Sequence, residues 1–267
     1  MLATMRIIRF VSGHQTYTGQ PIDGRSARRI EGNLFDAYQV TDEVLPIDRL
    51  LAPLIPQDIL CIGLNYHEHA AESRSRVPAN PLLFIKASNT LNNPGCVIPM
   101  PRRSTQIDFE GELVVIFGKD AKDVSKADAL NYVFGYTIAN DVTSRDWQRD
   151  KDLGGGQFAR GKSFDGFCPL GPAIVTADEI PNPNQLRIKT TLNGQVMQDD
   201  STASMIFDLP TLIESLSSTM TLRAGSILLT GTPSGVGFAR TPPVWLKSGD
   251  RISIEIEKIG TLENPVA

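Results

Sequence analysis

Glu110 and Glu112 stand one residue apart at the head of an apolar run over residues 107–117. If that run is a strand, both carboxylates point to one face, because side chains two apart in a strand are parallel. The same face continues as Val114 and Ile116, and the opposite face carries Phe109, Leu113, Val115 and Phe117. The pattern describes a strand buried on both sides that begins with two acids. Buried carboxylates are costly unless they are paired or coordinate a metal. A second apolar run, residues 132–139, ends just before Asn140 and Asp141, and a third oxygen donor at that strand end can join the first two. Three hard oxygen donors with no neighbouring Cys or His suit Mg²⁺ or Mn²⁺ better than Zn²⁺. The plainer alternative is a pair of acids at the solvated start of a strand.

Histidine chemistry has few places to occur, since the chain holds only His14, His67 and His69. On a helix His67 and His69 diverge, which disfavours a metal shared between them. His69 and Glu72 are three apart, so one helix face lets the carboxylate orient the imidazole; a solvated helical pair is the structural alternative. Residues 156–163 (GQFARGKS) satisfy the Walker A pattern letter for letter. A phosphate loop, however, needs a buried strand before it and a helix after it. The preceding residues 150–155 are polar and glycine-rich, and Pro169, Gly171 and Pro172 obstruct a following helix, so nucleotide binding is not expected.

These groups must be carried by a core, and 267 residues can bury one large core or a main domain plus a small one. The chain is 41% hydrophobic and 21% charged with a net charge of −4, which gives no basic footprint for nucleic acid or an anionic membrane. Cys61, Cys96 and Cys168 are too few and too scattered for a disulfide framework or zinc knuckle, and are expected as reduced structural thiols. Residues 1–11 lack the uninterrupted apolar core of a secretory leader, and no run approaches the ~20 apolar residues of a membrane helix. A cytoplasmic protein with a small-molecule partner is the expectation.

Residues 6–11 look like a strand, and glycines and prolines up to about residue 50 imply further short strands joined by turns. We therefore expect a small β-rich N-terminal domain over 1–54 and a catalytic domain over 55–267. The second opens with a short apolar run at 59–64. A helix carrying His69 and Glu72 follows, then a polar, proline-bearing stretch at 75–81 suited to a mobile lid, and an apolar run at 82–86. A short helix is predicted from Ser125, with Ser125 and Asp128 as a capping box. Asn193–Gly194 predicts a type I′ hairpin. Asp208 and Pro210 start a helix that buries Leu212, Ile213 and Leu216. Strands at 227–229 and 251–257 complete a chain without βαβ rhythm or internal repeat. The fold class is mixed α/β, mainly β.

Several of these segments occur together in one family. Residues 63–72 (GLNYHEHAAE), 108–113 (DFEGEL), 135–148 (GYTIANDVTSRDWQ), 161–165 (GKSFD), 193–194 (NG) and 230–235 (TGTPSG) resemble the fumarylacetoacetate hydrolase family over roughly residues 59–264. The resemblance implies a rolled mixed β-sheet and a Mg²⁺ or Mn²⁺ held by Glu110, Glu112 and Asp141. It further implies a His69–Glu72 dyad delivered by a lid, Lys162 as the active-site lysine, and Gln148 as a polar group that orients substrate. Thr232, Arg145 and Tyr66 fall at substrate-contacting positions, and a homodimer is implied. Larger family members add a fourth upstream carboxylate; here that region offers Asn65 and Tyr66, which groups the chain with shorter, three-carboxylate members.

For a Mg²⁺ taking about six oxygens, three carboxylates leave room for the 1-carboxylate and 2-oxo oxygens of a 2-oxo acid and one water. The expected reaction is C–C cleavage of an acylpyruvate: His69, held by Glu72, activates water, and Lys162 stabilises the pyruvate enolate that is released. The same enolate site could instead serve an oxaloacetate decarboxylase, or a 2-hydroxyhepta-2,4-diene-1,7-dioate isomerase with 5-oxopent-3-ene-1,2,5-tricarboxylate decarboxylase activity. A non-catalytic metal-binding protein would have no need of His69, Glu72 and Lys162 together.

Overall fold

The computed structural model describes residues 6–267; residues 1–5 of the stretch examined for a leader lie outside the described residues. No helix among the described residues is long and apolar enough to cross a membrane. The N-terminal strands are β1 (Arg6–Ser12), β2 (Gln15–Pro21), β3 (Ser26–Gly32), β4 (Tyr38–Pro46) and β5 (Arg49–Leu51). There follow β6 (Ile59–Gly63), α1 (His67–Glu72), β7 (Leu82–Lys86), β8 (Leu91–Asn92), β9 (Ile107–Asp108), β10 (Gly111–Phe117), β11 (Val133–Asn140) and β12 (Thr143–Ser144). Three short helices come next, α2 (Arg145–Arg149), α3 (Lys151–Gly154) and α4 (Phe158–Lys162). The chain closes with β13 (Cys168–Thr176), β14 (Arg187–Leu192), β15 (Gln195–Ser201), α5 (Leu209–Thr219), β16 (Ile227–Leu229), β17 (Arg251–Ile256) and β18 (Gly260–Pro265).

A 12-stranded mixed sheet runs in the order β4-β3-β2-β1-β13-β11-β10-β16-β6-β7, with β5 beside β1 and β8 beside β13. The N-terminal strands enter this sheet through β1, where Arg6 and Ile7 pair with Val175 and Ile174. A four-stranded sheet, β15-β14-β17-β18, lies apart. Strand β10 is buried at every residue. Its two faces serve different cores, which is why it is apolar almost throughout. Leu113, Val115 and Phe117 pack with Ile188 and Ile254 of the four-stranded sheet and with Leu212 and Ile213 of α5. Val114 and Ile116 pack on the other side with Ile7, Cys61, Ile174 and Leu229. The mixed, mainly β class expected from the sequence is the observed one.

The hairpin and the proline-initiated helix form as expected. Leu192 pairs with Gln195 across Asn193 and Gly194, both at positive φ (52° and 81°). Asp208 caps α5 by accepting from Thr211 N–H, with Leu212, Ile213 and Leu216 buried. All three cysteines are free. Burial pushes the Cys168 thiol up to about 12, consistent with an inert structural thiol.

Two expectations are corrected. The 107–117 run is not one strand, because β9 and β10 are separated by Phe109 and Glu110, and β9 pairs with β12 in a ribbon of its own. The break follows from Asp108, whose carboxylate accepts from Phe109 N–H, Gly237 N–H and Arg145 Nε and so turns the chain. No α-helix starts at Ser125. Ser125 Oγ donates to Asp128 Oδ2 at 2.7 Å, but this closes a turn before a single 3₁₀ turn at Ala129–Tyr132. The polar, glycine-rich stretch after residue 142, for which the sequence predicted no particular element, contains α2, α3 and α4. Each spans about one turn, too short to show a helical period and stable only through its packing.

Candidate active site

The acids converge because of strand register. β10 and β11 are antiparallel with Gly111 opposite Asn140 and Glu112 opposite Ala139, so the start of one strand meets the end of the other, where Asp141 follows. Glu110 occupies the break before β10 and is fixed by its backbone: its N–H donates to Asn140 Oδ1 at 3.0 Å, and its carbonyl accepts from Asp141 N–H at 2.8 Å. One carboxylate oxygen from each of Glu110, Glu112 and Asp141 lies within 4.8 Å of the others. The three residues are 4%, 1% and 0% exposed.

Cations surround this cluster unevenly. Lys162 Nζ donates to Glu110 Oε2 at 2.5 Å and also to Asp141 Oδ2. Lys86 Nζ donates to Asp141 Oδ1 at 2.6 Å and to the Val142 carbonyl. Arg145 is fully engaged, with Nε on Asp108 (2.8 Å), Nη2 on Glu110 (2.5 Å) and Nη1 on Gln148 Oε1 (3.0 Å). Burial works against the charge on Lys162, but Asp141 and Glu110 outweigh it and hold its affinity for a proton above the usual lysine value. Burial likewise opposes ionisation of Glu110, and the charges of Lys162 and Arg145 overcome it, leaving the carboxyl below its usual range. Glu112 differs: its Oε2 accepts the Gly231 N–H at 2.7 Å, and no salt bridge reaches it among the described residues. Burial, then the charges of Asp141 and Glu110, push its carboxyl well above the ordinary range.

Among the described residues, the buried lysines and arginines that pair with Asp108, Glu110 and Asp141 are Lys86, Arg145 and Lys162, and none pairs with Glu112. An acid-rich, all-oxygen cluster with one carboxylate held back from ionising is what a bound cation would complete, and the residues fit a metal ion. Lys162 reaches the cluster through Gly161. A Cβ at Gly161 would come within 2.6 Å of Gln148 N and 2.7 Å of the Ser144 carbonyl, so only glycine lets α4 lie against the backbone of α2.

The imidazole comes from α1. His69 Nδ1 lies 2.7 Å from Glu72 Oε1, and Glu72 Oε2 accepts the Gly235 N–H at 2.8 Å. A carboxylate on Nδ1 fixes the proton there and leaves Nε2 as the basic nitrogen. The ring stands edge-on to Phe238, centroids 6.3 Å apart. Helix α1 lacks a side-chain N-cap, Tyr66 occupying that position, so the Gly235 turn does much to hold the dyad.

A cavity of about 350 Å³ joins the two sets of groups, with His69, Glu110, Glu112, Arg145, Gln148, Lys162 and Thr232 among its walls. Asp141 lies behind Lys162, and Glu72 behind His69. Gln148 accepts from Arg145 through its carbonyl oxygen, which leaves its amide N–H groups to face the cavity. Thr232 Oγ1 donates to the Gly111 carbonyl and accepts from Gln198. One implied contact is corrected: Tyr66 is 0% exposed within the core beside Leu60 and Leu209, and it does not line the cavity. Its neighbour Asn65 binds Thr230 and Phe207 backbone groups, so nothing there supplies a fourth carboxylate. The Walker-like segment is no phosphate cradle either, since α4 runs through it and Lys162 is bound to carboxylates.

Lys86, Asp108 and Phe238 were missed from the sequence. Lys86 is a single cation closing an apolar run, and Asp108 stands two residues before Glu110, so both carried a faint signal. Phe238 carried none.

The sequence profile of the fumarylacetoacetate (FAA) hydrolase C-terminal domain matches residues 58–267. One described as Rv2993c-like, N-terminal matches residues 5–53. A fumarylacetoacetate hydrolase domain-containing protein 2 homolog of Dictyostelium discoideum is 47% identical over 238 residues, covering 85% of this chain and 77% of that protein. Oxaloacetate tautomerase YisK of Bacillus subtilis is 46% identical over 217 residues, covering 80% and 71%. Among solved structures, a 2-hydroxyhepta-2,4-diene-1,7-dioate isomerase from Mycobacterium marinum is similar with a TM-score of 0.85 at 38% identity, covering 99% of this chain and 98% of that one.

Proposed function

Because the chain belongs to the fumarylacetoacetate hydrolase family, we propose that it is a metal-dependent enzyme that interconverts the keto and enol forms of a 2-oxo acid of the oxaloacetate type. The observation that carries this reading is a lone imidazole base, His69 on Glu72, sharing one cavity with a buried cluster rich in acids and cations. Moving a proton between C3 and the 2-oxo oxygen needs only such a base and a site that tolerates enolate charge.

Glu110, Glu112 and Asp141 are the residues that would hold Mg²⁺ or Mn²⁺, which when bound supplies a Lewis acid for the 2-oxo group. Lys162 places a fixed positive charge where enolate charge develops. His69 Nε2 takes the proton from C3, and Glu72 stabilises the imidazolium that results. Gln148 donates to a substrate oxygen. Return of that proton to the oxygen completes the isomerisation, with no bond to carbon or oxygen lost besides those of the proton.

Similarity to oxaloacetate tautomerases at 42–46% identity supports this reading over acylpyruvate hydrolysis, the first expectation from the sequence. Hydrolysis uses the same enolate but also requires a positioned water. Isomerisation of a hydroxymuconate-type diacid is the second reading, favoured by similarity to the Mycobacterium marinum isomerase over 99% of this chain. The homodimer is also a proposal, supported by the sheet-edge strand β7, where Leu82, Leu83 and Ile85 are exposed; sedimentation equilibrium tests it.

The deciding experiment follows the enol absorbance of oxaloacetate released from its enol form, with Mg²⁺, Mn²⁺ or a chelator, using wild-type and His69→Ala protein. Ketonisation accelerated by wild type, and lost with chelator or the substitution, is the expected result. Cleavage of acetylpyruvate without effect on oxaloacetate would restore the hydrolase.

A further inference from the structure

Helix α2 carries an arginine at each end, Arg145 and Arg149, and the two guanidiniums differ in one respect that bears on substrate choice. Four residues apart, they share a helix face, and both lie over the Phe238 ring, with Cζ atoms 4.4 Å and 4.8 Å from its centroid. Arg145 is engaged by Asp108, Glu110 and Gln148. The Arg149 guanidinium has no hydrogen bond or ion pair among the described residues, yet it lines the cavity. Stacking on an aromatic face positions a guanidinium without consuming its N–H donors.

Arg76, from the segment after α1, is a second cavity-lining guanidinium without such a partner among the described residues. The same cavity has apolar lining from Phe84 and Phe158 and polar lining from Ser73 and Ser75. Phe238 also borders His69, and contact with this one ring limits how far the base and Arg149 stand apart to the length of a small molecule. The inner cavity already answers one carboxylate and its 2-oxo group. Two free cations at the outer wall call for another anion.

We propose that Arg149, assisted by Arg76 of the same cavity wall, binds the second carboxylate of a dicarboxylic 2-oxo acid and thereby sets a preference for diacids over monoacids. This rests on the reading of the site as one for 2-oxo acids. A planar fork matched bidentately to a carboxylate gives both affinity and orientation, and it presents C3, between the two carboxylates, to His69. Arg145 performs the separate task of holding Glu110 and Gln148.

The test measures calorimetric affinities for oxaloacetate and for pyruvate on Mg²⁺-loaded wild type, Arg149→Ala, Arg149→Lys and Arg149→Ala/Arg76→Ala, each checked for an unchanged melting temperature. The oxaloacetate-to-pyruvate affinity ratio should fall about 10- to 100-fold in Arg149→Ala, less in Arg149→Lys, and further in the double variant. An unchanged ratio, or an equal loss for both acids, overturns the proposal, as does a wild type that binds no oxaloacetate. Since binding is read without turnover, a diacid preference with no ketonisation would leave this proposal standing and remove only the tautomerase reading.

Discussion

The carboxylate cluster and the His69–Glu72 dyad face each other across one cavity but are built in opposite ways. Glu112 belongs to a strand buried along its whole length, and Glu110 and Asp141 are tied to one another by the main-chain bond between them. Each acid is further held by a lysine, an arginine or a backbone N–H. The dyad stands on a six-residue helix without a side-chain cap, and one N–H from Gly235 anchors its carboxylate. The charge-bearing half is therefore preorganised by the sheet, whereas the proton-moving half depends on a turn. Electrostatic stabilisation demands fixed dipoles, and proton transfer tolerates adjustment as substrate binds.

Breaking the rigid half should have the largest effect. Asp141→Asn leaves Lys86 and Lys162 short of a buried counter-charge, which costs about 3–5 kcal/mol, a melting temperature lower by roughly 10 °C. Mn²⁺ binding and turnover should be lost with it, and calorimetry and thermal melts check both. His69→Ala should leave metal affinity and melting temperature near wild type while turnover falls about 10²- to 10⁴-fold. If the melting temperature fell as far as in Asp141→Asn, the dyad would be structural and the contrast would fail.

Gly235 offers a graded test of the softer half. Its φ is +103°, and a Cβ there would overlap the Met197 carbonyl, so Gly235→Ala must shift the turn that holds Glu72. Turnover should fall by up to about 100-fold, the scale of a 1 Å misplacement, while Mn²⁺ affinity changes little. A shifted pH–rate profile would separate a displaced dyad from general loosening.

The smallest effect is a pH dependence confined to the cluster. Glu112 holds its proton more tightly in the folded, metal-free protein than in the unfolded chain. Its stabilising contribution is therefore complete below the ordinary glutamate value of about 4.3. It is lost as pH rises from there through the raised folded value. Metal-free wild type should lose several °C relative to Glu112→Gln over that window. Added Mn²⁺ should stabilise wild type increasingly as pH rises, because binding releases the proton. Parallel melting curves for the two proteins would show that Glu112 is not the group held back.

How much of this was legible beforehand depended on the range of the interactions. The Asn193–Gly194 hairpin and the capped α5 were readable because turn and cap chemistry is local. The spacing of Glu110 and Glu112 was readable too, although the strand that seemed to carry both begins only at Gly111. Helices α2 to α4 were not, since each is about a turn long and shaped by its neighbours.

Residue type and short spacing by themselves determined that this chain carries three acids on apolar runs, a His–Glu pair at helical spacing and a mainly β fold, because those depend on periodicity and on the cost of burying charge. Only the tertiary structure decided that Lys86 and Lys162 share Asp141, that Asp108 and Arg145 brace Glu110, that Tyr66 faces the core, and that Arg149 is left free beside Phe238. Those pairings join residues 21 to 55 positions apart, and nothing in local sequence encodes which long-range partner a buried charge will meet once the sheets pack.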